Sequence, residues 1–276
     1  MTNKKHSLVG IISYIILILG LIWVSLPFIW MLLTAFKPAN EVLKMPPQWI
    51  PTVWEWENFK DAIKSVPFNR YFFNSVFISI AVTLGDILTS ILAAYAFSHI
   101  DFRFKKILLA TLLACMMIPG EILMIPNYVT LSKFGWIDTY KALILPWCTS
   151  IFSILLIYQQ FISLPKSYYK SAKVNGCSDL RYLFTVLIPC SIPTLASVAI
   201  LKFINCWNSY IWPLIVTNST DMRTLPVGAA AFSTEAGVRY NTLMAFSVLM
   251  TIPIILIYLF TQKYLVKSIG SSGIKG

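Results

Sequence analysis

Charge is scarce in this chain. Of 276 residues only 12% are Asp, Glu, Lys or Arg, about half of the ~25% usual in soluble domains. With eleven acidic residues and two histidines, clustered carboxylates or imidazoles for general acid–base or metal chemistry have little to draw on. The five cysteines, Cys115, Cys148, Cys177, Cys190 and Cys206, form no CxxC pair. Neither a zinc-ligand spacing nor a disulfide framework follows from them, and they are expected as small packing residues. A G-x-x-x-x-G-K-[ST] phosphate loop is missing as well, so ATP binding in the usual way is not expected of this chain. No catalytic set and no metal site is expected.

What is present is apolar surface. Residues of the apolar set make up 57% of the chain, at a mean hydropathy of +0.72. A soluble domain of this size has too little polar surface to cover so much apolar side chain. Disorder, collagen and secreted disulfide scaffolds fall to the same composition. An all-α integral membrane protein is left.

Crossing ~30 Å of hydrocarbon takes about 20 apolar residues in a helix. Six runs satisfy this, at about 8–36, 75–97, 107–125, 142–162, 188–211 and 243–266, in a single transmembrane domain over 1–276. Pro27, Pro119, Pro193 and Pro253 interrupt them, which neighbouring helices tolerate by satisfying the freed carbonyls. Lys4, Lys5 and His6 precede the first run, whose length and lack of an A-x-A site favour a retained span over a cleaved signal.

The net charge of +11 would point to nucleic acid in a soluble protein. In a membrane protein it points to cytoplasmic loops, where Lys and Arg collect. With the N-terminus inside, the inner segments hold twelve basic residues against Asp101 and Asp179, and the outer ones nine basic against eight acidic. Both termini are therefore expected to be cytoplasmic, with no nucleic-acid partner. The outer segment 37–70, carrying Trp49, Trp54 and Trp56, is expected along the lipid headgroups. The inner segment 163–187 is amphipathic and too polar for lipid. A helix over Ser167–Asn175, a turn at Gly176 and an N-cap at Ser178 describe it, and an ordinary connector resting on the bilayer describes it equally.

The text from Leu164, LPKSYYKSAKVNGCSDLRYLFTVLIPCSIP, resembles the EAA loop of bacterial ABC importer permeases. The matching positions are Lys170, Ser171 and Ala172, then Asn175 and Gly176, then Leu187, Ile188 and Pro189. FINCWNSYIWPLIV at Phe203–Val216, TLPVG at Thr224–Gly228 and the tail from Gln262 to Gly276 extend the likeness. So do WIP at Trp49–Pro51, RYFFNS at Arg70–Ser75 and AAYAF at Ala93–Phe97. The whole is similar to the carbohydrate-uptake branch, the second permease subunit of a maltose-type system. That resemblance implies six helices, an ATPase-coupling loop at 163–187, a second permease subunit in a heterodimer, two ATPase domains holding ATP and Mg, and an extracellular solute-binding protein. It also implies a multi-pass protein of the bacterial cytoplasmic membrane that is not itself an enzyme. Lys170 stands where the family has glutamate and Asn175 where it has aspartate, so the polar detail of ATPase contact departs from the pattern.

Charges inside spans are costly and mark function by default. Asp86 and Lys202 fall at similar depth near mid-membrane, about 16 and 21 Å along their spans at 1.5 Å per residue, either as an interhelical pair or as solute contacts. Asn205, Trp207, Asn208 and Tyr210 join them as pathway candidates, because amides and rings suit sugar hydroxyls and C–H faces. Trp212 beside Pro213 is expected in the interfacial belt, Glu121 at a gate or outer loop, and His6 and His99 in solvent. A secondary carrier driven by ions is the alternative of a different class, and an importer of another solute such as glycerol phosphate the alternative within the same class.

Overall fold

The structure is a computed structural model that describes residues 8–234 and 237–270. Lys4, Lys5, His6 and Lys275, with the last six residues of the tail motif, lie outside them. In chain order the principal helices are α1 (Leu8–Ala35), α2 (Glu57–Lys64), α3 (Phe68–His99), α4 (Lys105–Cys115) and α5 (Met124–Lys133). There follow α6 (Tyr140–Trp147), α7 (Ile151–Ser163), α8 (Lys166–Val174), α9 (Asp179–Cys190), α10 (Ile192–Trp207), α11 (Ile211–Val216) and α12 (Tyr240–Gly270). Two-residue strands β1 (Ser233–Thr234) and β2 (Gly237–Val238) form a small antiparallel hairpin. The chain divides into two compact units, Met1–Val66 with Ala229–Ile252, and Pro67–Gly228 with Pro253–Gly276.

Three single helices, α1, α3 and α12, are long and apolar enough to cross a bilayer. Three broken pairs bring the number of candidate spans to six: α4 with α5, α6 with α7, and α9 with α10, bent by 95°, 40° and 78°. The breaks have local causes. Pro119-Gly120 follows α4 and opens a short 3₁₀ turn before α5. Pro146 lies in the last turn of α6, and the Ser150 hydroxyl caps α7 by accepting from the Ser153 N–H. Pro189 and Pro193 flank the α9–α10 joint: Pro189 has no N–H to give to the preceding turn, and Pro193 sits in the first turn of α10, where none is needed. The sequence places a straight run over 107–125; the structure instead turns the chain after Cys115, at the proline the hydropathy pattern runs through.

In the first unit, α1 hides none of its apolar window inside the chain, and Trp23 is 78% exposed. Such a helix needs hydrocarbon or another protein around it. At its C-terminal end Asn58 Nδ2 donates to Ala35 O at 3.0 Å and, just past the helix, to Lys37 O at 2.9 Å. Asn241 Nδ2 donates to Asn58 Oδ1 at 2.8 Å and holds that amide in place. Lys37 Nζ lies 3.9 Å from the Trp30 ring centroid, and burial lowers its pKa, opposed by the Glu41 carboxylate. Trp49, Trp54 and Trp56 stay exposed while their rings meet Trp30 and Phe36 edge-on or tilted.

The second unit is built around α3, which packs against α7 and α10. One cluster joins Ile91, Ala94 and Tyr95 of α3 to Ile157 and Phe161 of α7, to Tyr182, Leu183 and Leu187 of α9, and to Val198 of α10. A second joins Ile78 and Val82 of α3 to Leu131, Ala142, Leu143, Trp212 and Val216. Between them α3 passes close to the turn after α6. Thr89 Oγ1 donates to Cys148 O at 2.7 Å, and a Cβ on Gly85 would lie 2.6 Å from Cys148 Sγ and 2.9 Å from Cys148 Cβ. Only glycine fits there. Gly85→Ala is therefore expected to cost about 1–3 kcal/mol of stability, read as a lower thermal midpoint of the detergent-purified protein. Adding Cys148→Gly should recover most of the loss; a harmless Gly85→Ala contradicts the packing.

Candidate functional site

One face of α3 carries polar side chains at helical spacing: Ser75, Ser79, Thr83, Asp86 and Ser90, all buried. Steps of three and four residues put them in a single row. Asp86 is fully buried and is held from two sides. Ser153 Oγ of α7 donates to its Oδ2 at 2.6 Å, and Lys202 Nζ of α10 stands 3.7 Å from its Oδ1. The first is a short charge-assisted hydrogen bond; the second is an ion pair longer than a hydrogen bond. Three helices thus meet at one carboxylate.

Beside this junction lies a cavity of about 360 Å³, within the range of about 300–1,000 Å³ usual for small-molecule sites. Lys202 and Asn205 of the pathway candidates line it. Trp207 does not: it is 1% exposed and packs its ring against Phe72 and Phe203. Asn208 caps the C-terminal end of α10, its N–H bonded to Ile204 O at 3.0 Å, and Tyr210 is exposed; neither lines the cavity. The residues that complete the lining were not among the pathway candidates read from the sequence. They include Ser75, Ser79, Ser153 and Thr224, with Trp147 and Trp212. A polar residue every three or four positions in an apolar run was the available signal.

Two expectations are corrected by these contacts. Trp212 is no belt residue: it is 2% exposed, its Nε1–H donates to Ala142 O at 3.1 Å, and its ring meets Trp147 edge-on at 5.8 Å. A buried carbonyl gives the indole N–H the partner that a headgroup would otherwise supply. His99 is not solvated either. It is partly buried, stacked on Tyr95 at 5.3 Å and bounded by Tyr169 and Tyr182. Glu121 sits exposed in the 3₁₀ turn between α4 and α5.

The segment 163–187 forms a polar elbow. α8 ends at Val174, Gly176 turns the chain at φ +70°, and the Ser178 hydroxyl caps α9 by accepting from the Arg181 N–H. A positive φ at that point is the reason for glycine. Asp179 Oδ1 accepts from Lys173 Nζ at 2.7 Å and from Tyr169 Oη at 3.1 Å, which ties the two arms together. That hydrogen bond to Asp179 raises the pKa of Lys173. Lys170, Ser171, Asn175 and Gly176 are exposed on the elbow, with Asn175 Nδ2 donating to Ser171 O. Ala172 packs inward with Tyr169 and Cys177, Leu187 is fully buried, and Pro189 is exposed at the α9–α10 joint.

All five cysteines are free, and among the described residues no cluster of His, Cys, Asp or Glu could hold a metal ion. The polar chemistry of the site centres on the Asp86–Lys202 pair. Its most exposed liability is the buried ion pair, since removing one partner of such a pair typically costs about 3–5 kcal/mol. Asp86→Asn and Lys202→Met are each expected to lower the thermal midpoint, and the double substitution to lie closer to wild type than either alone. Strict additivity of the two losses contradicts the pairing.

Comparison with known proteins places the chain. Residues 86–271 match the family model described as binding-protein-dependent transport system inner membrane component. The arabinooligosaccharides transport system permease protein AraQ of Halalkalibacterium halodurans is 33% identical over 253 residues, covering 91% of this chain and 91% of that protein. The trehalose/maltose transport system permease protein MalG of Thermococcus litoralis is 33% identical over 276 residues, covering 96% and 98%. The sn-glycerol-3-phosphate permease UgpE of Agrobacterium fabrum is 27% identical, again over 96% and 98%. Among solved structures, a bacterial ABC transporter involved in import of the acidic polysaccharide alginate superposes with a TM-score of 0.82 at 20% identity, covering 96% of this chain and 99% of that one. The fold is thus that of an ABC transporter permease, an α-helical multi-pass membrane protein with up to six spans, and the chain belongs to the family of binding-protein-dependent transport system inner membrane components.

Proposed function

We propose that this chain is a permease subunit of an ATP-driven, binding-protein-dependent importer of sugars or oligosaccharides in a bacterial cytoplasmic membrane. The observation that carries this reading is identity of 33%, over nine-tenths or more of the chain, to two permeases named for arabinooligosaccharides and for trehalose and maltose. A more distant relative named for glycerol phosphate keeps a phosphorylated solute in view within the same class. An ion-driven carrier receives no comparable support: the family model matched by residues 86–271 is described as a binding-protein-dependent transport system inner membrane component.

In this reading ATP and Mg are bound by two ATPase domains on other polypeptides, a second permease completes the translocation path, and an extracellular binding protein delivers solute. The α8–α9 elbow lies on the cytoplasmic side with both termini, as the excess of Lys and Arg favours, and receives the motion of the ATPases. Lys170 at its tip would repel the basic residue that the family's glutamate faces. The ATPase therefore carries a different residue there, or the second permease supplies the glutamate. Docking by shape at the exposed Gly176 turn remains, with Ala172 packed beneath it.

Force on the elbow has a physical route into the unit. Tyr169 of α8 meets Tyr182 of α9 at 5.1 Å and His99 of α3 at 5.3 Å. Between three and four helical turns along α3 from His99 lies Asp86, and further on lie Ser79 and Ser75 at the cavity. A helix resists bending, so displacement at the aromatic cluster shifts the cavity wall. The unit is then a two-state element biased by nucleotide at the elbow.

Two results follow. Affinity purification from native membranes should recover a second multi-span permease and an ATPase with this chain; recovery of the chain alone contradicts the reading. Tyr169→Ala should leave ATP hydrolysis by the complex measurable while uptake falls about tenfold or more, an uncoupling equal to ~1.4 kcal/mol or more of lost transmission. Equal loss of both activities indicates that the aromatic contact only supports folding.

A further inference from the structure

The cavity beside Asp86 and Lys202 holds hydroxyls that the fold does not use. Ser79 is 1% exposed, and its Oγ has no oxygen or nitrogen partner, only the weakly polar Cys206 thiol beside it. Thr224 is 5% exposed, and its Oγ1 also has no partner. Both line the cavity, one from α3 and one from the segment after α11. Ser75, between them in the lining, accepts from the Leu225 N–H at 2.9 Å and keeps its own O–H to donate. Buried polar groups are ordinarily paired, and leaving them unpaired is costly. Hydroxyls kept without partners on a cavity wall are placed to meet a ligand's hydroxyls.

The charge of the same wall is as informative. Lys202 is the one charged side chain in the lining. Its ammonium is answered by Asp86 at 3.7 Å, and the other oxygen of that carboxylate is taken by Ser153. The cavity therefore offers hydroxyls, an amide at Asn205 and the faces of Trp147 and Trp212, but no unanswered cation. A phosphate or carboxylate entering it would bring a charge with no counter-ion into a site walled by apolar helices, where unpaired charge is most costly.

From this we propose that this subunit carries its own saccharide subsite, selective for uncharged sugar over phosphorylated or uronic-acid sugar, with Ser79 and Thr224 as hydroxyl partners; the inference rests on the importer reading. Neutrality is set by Asp86, which occupies Lys202. Removing the carboxylate's charge frees the ammonium and converts the subsite into one that accepts an anion. This distinguishes the lining from a surface that merely tolerates water, because its selectivity is reversible by one atom's change in charge.

The test is direct binding of radiolabelled maltotriose and trigalacturonate to this chain, purified with whichever subunits accompany it and without a binding protein. Maltotriose should bind saturably and trigalacturonate should not. Ser79→Ala with Thr224→Val should weaken maltotriose about tenfold, the loss of two modest hydrogen bonds, while the thermal midpoint stays level or rises. A merely structural pair of hydroxyls would lower the midpoint and leave binding alone. Asp86→Asn should admit trigalacturonate. Binding of trigalacturonate by wild type, failure of maltotriose to bind, or an unchanged affinity in the double variant each overturns the subsite. Purification without an ATPase overturns the importer reading instead, and the binding result stands apart from it.

Discussion

The second unit depends on how one buried carboxylate is partnered in an apolar setting. Asp86 lies at the centre of the three helices α3, α7 and α10, bonded to Ser153 and paired with Lys202. Two charges taken out of water gain less from one another than hydration gave them unless further hydrogen bonds help, and the Ser153 hydroxyl supplies one. The arrangement fixes the rotation of all three helices about their axes. Hydrophobic contact alone would leave that rotation loosely set, because lipid chains are as apolar as the helix faces.

Fixing α3 in this way gives one helix two duties. At one end it meets the elbow through Tyr95 and His99, packed with Tyr169 and Tyr182. Towards the other end it lines the cavity through Ser75 and Ser79. Gly85 lets it pass within contact of Cys148 in the turn after α6. The broken pairs α6–α7 and α9–α10 border the same helix, and their joints at Pro146 and Pro189 are places where the chain has given up backbone hydrogen bonds. A stiff helix between jointed ones suits an element that must change between two arrangements.

Much of this was legible in the residues. Six apolar runs set the class, because a helix in lipid must satisfy its backbone internally and be long enough to cross. Asp86 and Lys202 stood out as charges at matching depth, and the structure brings them to 3.7 Å. Gly176 and Ser178 announced a turn and a cap, both present. The bends were not legible: hydropathy averages over Pro119 and Pro189, and whether such a proline kinks or redirects a helix is decided by its neighbours. The cavity was missed because serines in an apolar run read singly as tolerated small residues, although their spacing of three and four put Ser75, Ser79 and Asp86 on one face. His99 and Trp212 were misplaced for a shared reason. Polar aromatic residues near span ends are ordinarily wet, and only the fold shows the neighbouring rings and carbonyl that replace water here.

The central claim is that this chain moves solute only as part of a machine powered elsewhere. It is tested most directly by uptake of labelled oligosaccharide into proteoliposomes holding the purified complex, with ATP inside and binding protein outside. Accumulation that needs both and survives collapse of ion gradients is the result predicted. Uptake by the chain under a proton or sodium gradient, with no ATP, contradicts it.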